Sequence, residues 1–201
     1  ENKRKLLSYV EKVSGLKWRD DWLLAGWGRR ITGYKRPDAI FQEADRLAGI
    51  FRDKNRPVRL VVSGVPHPSD EDGQRQLSEI LEIIRTKLSD VVCYLPGFNF
   101  ETAGTMTAGC DLWLNTPVVG FEACGTSTMK AMLNGTLLVS TRDGWLSEIG
   151  INKVGWELGN TNPGADFLEL LDKEIGPEYY AGDNVDLSEK WGQKMSAGRE
   201  I

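Results

Sequence analysis

Histidine and cysteine are scarce in this chain, with one histidine, His67, and three cysteines, Cys93, Cys110 and Cys124, among 201 residues. One histidine cannot build a His-rich metal site from this chain alone. Three cysteines without metal-type spacing fit a reducing compartment better than a disulfide framework, and they read as small buried hydrophobes. No apolar run is long enough to span a bilayer, and the opening Glu1-Asn-Lys-Arg-Lys5 lacks the apolar stretch of a signal peptide. A cytoplasmic location is therefore expected. An excess of one sign of charge is also missing: the formal net charge is -4. Such a balance gives no reason to expect nucleic acid or an anionic membrane as a partner. The chain begins without methionine and ends within Met195 to Ile201, as an excised domain would. Its length suits one domain over residues 1–201 with a sizeable core.

Helical and strand patterns alternate along the chain. Asn2 is placed to cap a helix with Leu6, Leu7, Val10 and Val13 on one side and Gly15 closing it. Apolar strands are expected at Trp22 to Trp27, Val58 to Ser63, Val91 to Leu95, Asp111 to Asn115 and Thr136 to Ser140. Between them, Pro37 starts a helix with Ile40, Phe41, Ala44, Leu47, Ala48 and Phe51 inward. A second helix carries Leu77, Ile80, Leu81, Ile84 and Leu88, and a short one lies near Glu101 to Ala108. From Asn162 onward a helical tail is expected, with Phe167, Leu168, Leu171 and Ile175 inward and a turn at Gly176-Pro177. This alternation implies an α/β, Rossmann-like domain with a parallel sheet, flanking helices, and ligands at the carboxyl ends of the strands.

Two stretches carry chemistry. Phe121 to Gly135 follows an expected strand and has a small-residue turn, Gly125-Thr126-Ser127, that opens a helix with Met129, Met132 and Leu133 spaced to bury one face. Gly135 ends it. Unpaired amides and the positive end of the helix dipole make that turn a ready phosphate site. Lys130, one turn further, lies on the same side and could form a Schiff base with an aldehyde cofactor that carries a phosphate. A surface lysine on a helix capped by Thr126 satisfies the same spacing. The second stretch is a basic loop, Arg29, Arg30, Lys35 and Arg36, at the carboxyl end of a strand; its cations suit phosphate oxygens, and a solvated loop is the alternative.

Glu122-Ala-Cys-Gly-Thr-Ser-Thr-Met-Lys130 resembles the pyridoxal-phosphate segment of the α-glucan (glycogen or maltodextrin) phosphorylases. The flanking Asp111 to Pro117, Leu133-Asn-Gly135 and Asp143-Gly-Trp145 are similar to compact bacterial and archaeal members, and Gly26 to Arg36 is similar to the family's Arg-Arg or Lys-Arg pair followed by Tyr-Lys-Arg. The resemblance implies that Lys130 forms the Schiff base with pyridoxal 5'-phosphate, and that the amides of Gly125, Thr126 and Ser127 cradle its phosphate with Arg29 nearby. Arg30 and Lys35 would hold the substrate phosphate, and Glu122 would accept hydrogen bonds from glucosyl hydroxyls. Cys124 stands where the family usually has serine, and Thr128 where many members have glycine or asparagine. Phe98 falls about where the family packs a tyrosine by the cofactor ring; core packing explains it as well. In Val61 to Asp70 a valine replaces the lysine of the family's Gly-Lys-Ala-His-Pro segment, which makes His67 a structural loop residue. Asp143 and Gly144 match the family's Asp-Gly, and Asp143 alone could simply make a turn.

The implied reaction is phosphorolysis, in which inorganic phosphate attacks an α-1,4-glucan to release glucose 1-phosphate and the cofactor phosphate relays a proton. The implied architecture is the C-terminal half of a two-domain GT-B enzyme with its active site between the halves, so the chain without its N-terminal domain is expected to be inactive. A nucleotide-sugar-dependent glycosyltransferase of the glycogen-synthase kind is one alternative, disfavoured by the Thr-Met-Lys ending at Lys130. A non-catalytic glucan-binding or regulatory domain is the other.

Overall fold

The structure is a computed structural model that describes residues 1–181 and 189–201. Its framework is one six-stranded sheet, with all strands parallel: β1 (Leu23–Gly28), β2 (Val58–Ser63), β3 (Val92–Leu95), β4 (Leu112–Asn115), β5 (Leu137–Thr141) and β6 (Gly155–Leu158), in the order β3-β2-β1-β4-β5-β6. The chain moves outward from β1 to β3, returns to lay β4 beside β1, then moves outward again to β6. Where the winding reverses, between the carboxyl ends of β1 and β4, the connecting loops diverge and leave a crevice.

Eight helices are described: α1 (Asn2–Ser14), α2 (Ala44–Phe51), α3 (Glu71–Ile83), α4 (Phe100–Gly109), α5 (Thr126–Leu133), α6 (Pro163–Leu170), α7 (Gly176–Tyr180) and α8 (Glu189–Glu200). Side chains alternate across β1 because successive residues of a strand face opposite ways. Leu23, Ala25 and Trp27 enter one core with α2, α3 and α6; Leu24 enters the other with Leu6 and Val10 of α1, Met106 of α4, and Ala131 and Met132 of α5. Both faces are thus covered, which is why the strands are predominantly apolar. At the amino ends of the strands Asp111 closes the sheet, accepting from Lys3 Nζ at 2.5 Å and from the Leu24 amide at 2.8 Å.

Several expectations are corrected. Asn2 lies inside α1 and Glu1 takes the cap position, with no side-chain cap bond; Gly15 does end the helix, at φ 76°. Val13 and Leu81 are exposed. The helix expected from Pro37 is split into a 3-10 turn at Ala39–Phe41 and α2, although its six apolar residues all point inward. In place of a turn at Gly176-Pro177, helix α7 begins there, with the proline at its start where a missing N–H costs nothing. Strand β6 was not anticipated from the pattern. It has four residues, starts with glycine and lies at the sheet edge, and each of these weakens the strand signal. Gly155 is required there, since a Cβ would stand 1.8 Å from the Leu138 carbonyl oxygen. The part of the expected helical tail at 182–188 lies outside the described residues.

Candidate active site

The crevice at the β1/β4 reversal is a cleft of about 400 Å³. The residues that the resemblance assigned to phosphate, cofactor or sugar contact line it: Arg29, Arg30 and Lys35 from the loop after β1, and Glu122, Gly125, Thr126, Ser127 and Lys130 from the loop after β4 and helix α5. Phe98 lines it too, and Cys124 is half-buried on its wall. His67 does not; it is exposed, and its Nδ1 is engaged by the Ser69 hydroxyl at 2.7 Å.

Arg29 is the most deeply set cation, at 5% exposure. Its Nη1 donates to Asn115 Oδ1 and its Nη2 to Glu122 Oε2, while its buried Nε has no partner. Burial pulls the guanidinium below its ordinary range and Glu122 opposes that; an arginine stays charged throughout. Asn115 is itself held, its Nδ2 donating to Ser140 Oγ at 2.8 Å, so a buried polar chain runs under the cleft floor from Ser140 to Glu122. Glu122, to which the resemblance assigns glucosyl hydroxyls, has one oxygen, Oε2, occupied by Arg29.

Lys35 shares the cleft with Arg29 and Arg30, and its Nζ lies 5.4 Å from the centre of the Tyr34 ring. Its ammonium is lowered to about 8, by burial first and then by the Arg29 charge. Tyr34 stacks on Phe121 with ring centres 6.3 Å apart. Arg36 is the member of the basic loop that turns away. Its Nε and Nη2 donate to the Thr116 and Pro117 carbonyls at 2.8 and 2.7 Å and its Nη1 to the Asn160 carbonyl, which ties the β1 loop to the β4 loop. Arg36 also sits at φ 45°, and these bonds hold it there.

The turn before α5 is built as its small residues imply. Gly125 takes the N-cap position in the left-handed region, φ 84° and ψ 52°, with no side-chain cap bond, so Thr126 is not the cap. Left-handed backbone favours glycine. Of the face expected to be buried, Met132 is buried and Leu133 is 65% exposed, because Thr128 and Ala131 take the inward positions instead. Lys130 stands exposed at the cleft rather than on a face pointing away from it.

The turn is supported by residues that the sequence marked without giving them a role at the site. Asp143 Oδ2 accepts from the Phe121 and Glu122 amides at 3.1 and 2.8 Å, and its Oδ1 from Gly144 at 2.9 Å. Burial would raise its carboxyl, but these amides hold it below the ordinary range. Thr128 and Trp145, 2.8 Å apart at Oγ1 and Nε1, complete the support. Among the described residues no group of three or more His, Cys, Asp and Glu could hold a metal, and no helix is long and apolar enough to cross a membrane.

The family model for carbohydrate phosphorylases matches residues 1–161. A glycogen phosphorylase of Aquifex aeolicus is 35% identical over 192 residues, which covers 91% of this chain and 28% of that protein. A maltodextrin phosphorylase of Thermococcus litoralis is 35% identical over 170 residues, covering 79% of this chain and 20% of that protein. The chain therefore spans less than a third of the length of these relatives. Among solved structures, a glycosyltransferase from Rickettsia africae superposes with a TM-score of 0.70 at 14% identity, over 98% of this chain and 46% of that one. Anabaena Alr3699/HepE in complex with UDP gives 0.70 at 19%, over 97% and 47%. At that identity these two share the α/β fold of GT-B glycosyltransferases.

Proposed function

Since this chain belongs to the carbohydrate phosphorylase family, we propose that it is the cofactor-binding, C-terminal half of an α-glucan phosphorylase. The full enzyme would be cytoplasmic and would convert an α-1,4-glucan and inorganic phosphate to glucose 1-phosphate. The observation that carries this reading is the convergence of Arg29, Arg30, Lys35 and Lys130 with the open amide end of α5 on one cleft.

That donor set fits pyridoxal 5'-phosphate. A left-handed glycine turn offers amides, a buried guanidinium has an unpartnered Nε, and a lysine amine stands in the same cleft. When bound, the cofactor supplies a phosphate that relays a proton beside the substrate phosphate. Two singly charged anions about 4 Å apart repel by about 4 kcal/mol near a protein surface, so several fixed cations are needed to hold them together. Lys130 would hold the cofactor, and the amides of Gly125, Thr126 and Ser127 would donate to its phosphate, with Arg29 nearby. Arg30 and Lys35 bind and orient the substrate phosphate; Arg30, as a planar fork, fixes its direction. Glu122 accepts from sugar hydroxyls and holds the glucosyl unit as positive charge develops on it. The walls that exclude water belong to the facing N-terminal half, so this chain by itself should show no phosphorolysis.

The test is a mass spectrum of the full-length protein incubated with pyridoxal 5'-phosphate, reduced with borohydride and digested. The expected result is the cofactor's mass on the peptide containing Lys130. No adduct, together with binding of a nucleotide sugar, would replace this reading with a nucleotide-sugar-dependent transferase; binding of glucan alone would leave a non-catalytic module.

A further inference from the structure

We propose that Thr128, Trp145 and Asp143 are positioning residues that aim the amides of the Gly125 turn into the cleft, an assignment that rests on the cofactor-binding reading above. Gly125 is held by its carbonyl, which accepts from the Thr128 amide at 3.1 Å and from the Thr128 hydroxyl at 2.6 Å. Thr128 is fully buried, and its Oγ1 also receives Trp145 Nε1 at 2.8 Å. An indole N–H only donates, so the threonine's single hydroxyl proton is committed to Gly125 and the direction of both bonds is fixed. The preceding carbonyl, of Cys124, accepts from the Trp145 amide at 3.2 Å.

The Gly125 carbonyl is thus tied to the first turn of α5 and the Cys124 carbonyl to the segment after β5. A trans peptide points its N–H opposite to its C=O, so the amides of Gly125 and Thr126 are turned the other way, toward the cleft that Arg29 also lines. Asp143 anchors the same wall, accepting from the Phe121, Glu122 and Gly144 amides. Gly144, at φ 58°, allows the close approach: a Cβ there would stand 2.5 Å from the Cys124 carbonyl oxygen. None of these three side chains needs to touch the ligand. The effect of Thr128 and Trp145 is on the phosphate group, because that group meets the amides they aim.

The experiment compares binding of pyridoxal 5'-phosphate with that of pyridoxal, which lacks the phosphate, in the full-length protein and its variants. Thr128→Val keeps the shape and removes the hydroxyl, and Trp145→Phe removes only the indole N–H. Each should weaken pyridoxal 5'-phosphate by about tenfold, the scale of one hydrogen bond, with pyridoxal unchanged. Thr128→Ser should restore wild-type affinity. Unchanged phosphate preference in both Thr128→Val and Trp145→Phe, or equal loss of both ligands, overturns the assignment. Wild-type protein that takes up no pyridoxal 5'-phosphate overturns the functional reading itself, and this assignment with it. Should Thr128→Val fail to fold, Trp145→Phe decides alone, since Trp145 is not in the sealed core.

Discussion

Replacing Arg29 by methionine isolates the central electrostatic element of the cleft. The arginine side chain is 5% exposed and that of its partner Glu122 is 10% exposed, so the pair is nearly out of water. Removing one member of a buried pair strands the other charge at a cost of about 3–5 kcal/mol. Glu122 keeps a little exposure, and the Asn115 Oδ1 acceptor is orphaned at the same time. We therefore expect about 3 kcal/mol, or about 6–12 °C in Tm for a chain of this size. Glu122→Gln should cost less, because the amide oxygen still accepts from Arg29. The double variant Arg29→Met/Glu122→Gln should lose less stability than the sum of the two single losses, by a coupling of at least about 1.5 kcal/mol. Urea unfolding of the 201-residue chain, analysed at constant m, measures all four corners. Additive losses to within about 0.5 kcal/mol would refute the view that the two charges depend on each other.

Three further outcomes follow from the same geometry. Lys35 binds anions only as an ammonium, and it is lowered to about 8, so sulfate, which does not titrate here, should bind roughly tenfold or more weakly as pH rises through 8. Calorimetry should find that loss abolished in Lys35→Arg. The sign for folding is opposite: between about 8 and the ordinary lysine value of 10.5 the unfolded chain holds this proton more tightly, so Lys35 adds stability as pH rises across that window. Lys130→Ala should lose the cofactor's visible absorbance while changing unfolding free energy by less than about 0.5 kcal/mol, since the side chain is exposed; a variant that kept the absorbance would remove Lys130 from its role. Gly144→Ala should cost at least about 1–3 kcal/mol from left-handed backbone alone, read by urea unfolding, and an unchanged midpoint would count against the close approach to Cys124.

The sequence alone determined what is local or periodic. Apolar runs of strand length placed five of the six strands, because a strand covered on both faces has no polar alternation to disguise it. The Gly125 turn and Lys130 one helical turn beyond it were legible for the same reason, since short spacings along a helix translate directly into a shared side. Tertiary structure decided what depends on neighbours distant in the chain. Arg36 and Arg29 both lie in the basic loop, yet one ties two loops together through carbonyls 80 or more residues away and the other is buried against Glu122, 93 residues on. Leu133 fits the helical spacing of a buried residue and is exposed, because α5 is too short for its period to say where the neighbouring elements end. Asp143, Thr128 and Trp145 gain their role only when the segment after β5 is laid against the segment after β4, an adjacency fixed by strand pairing across the sheet.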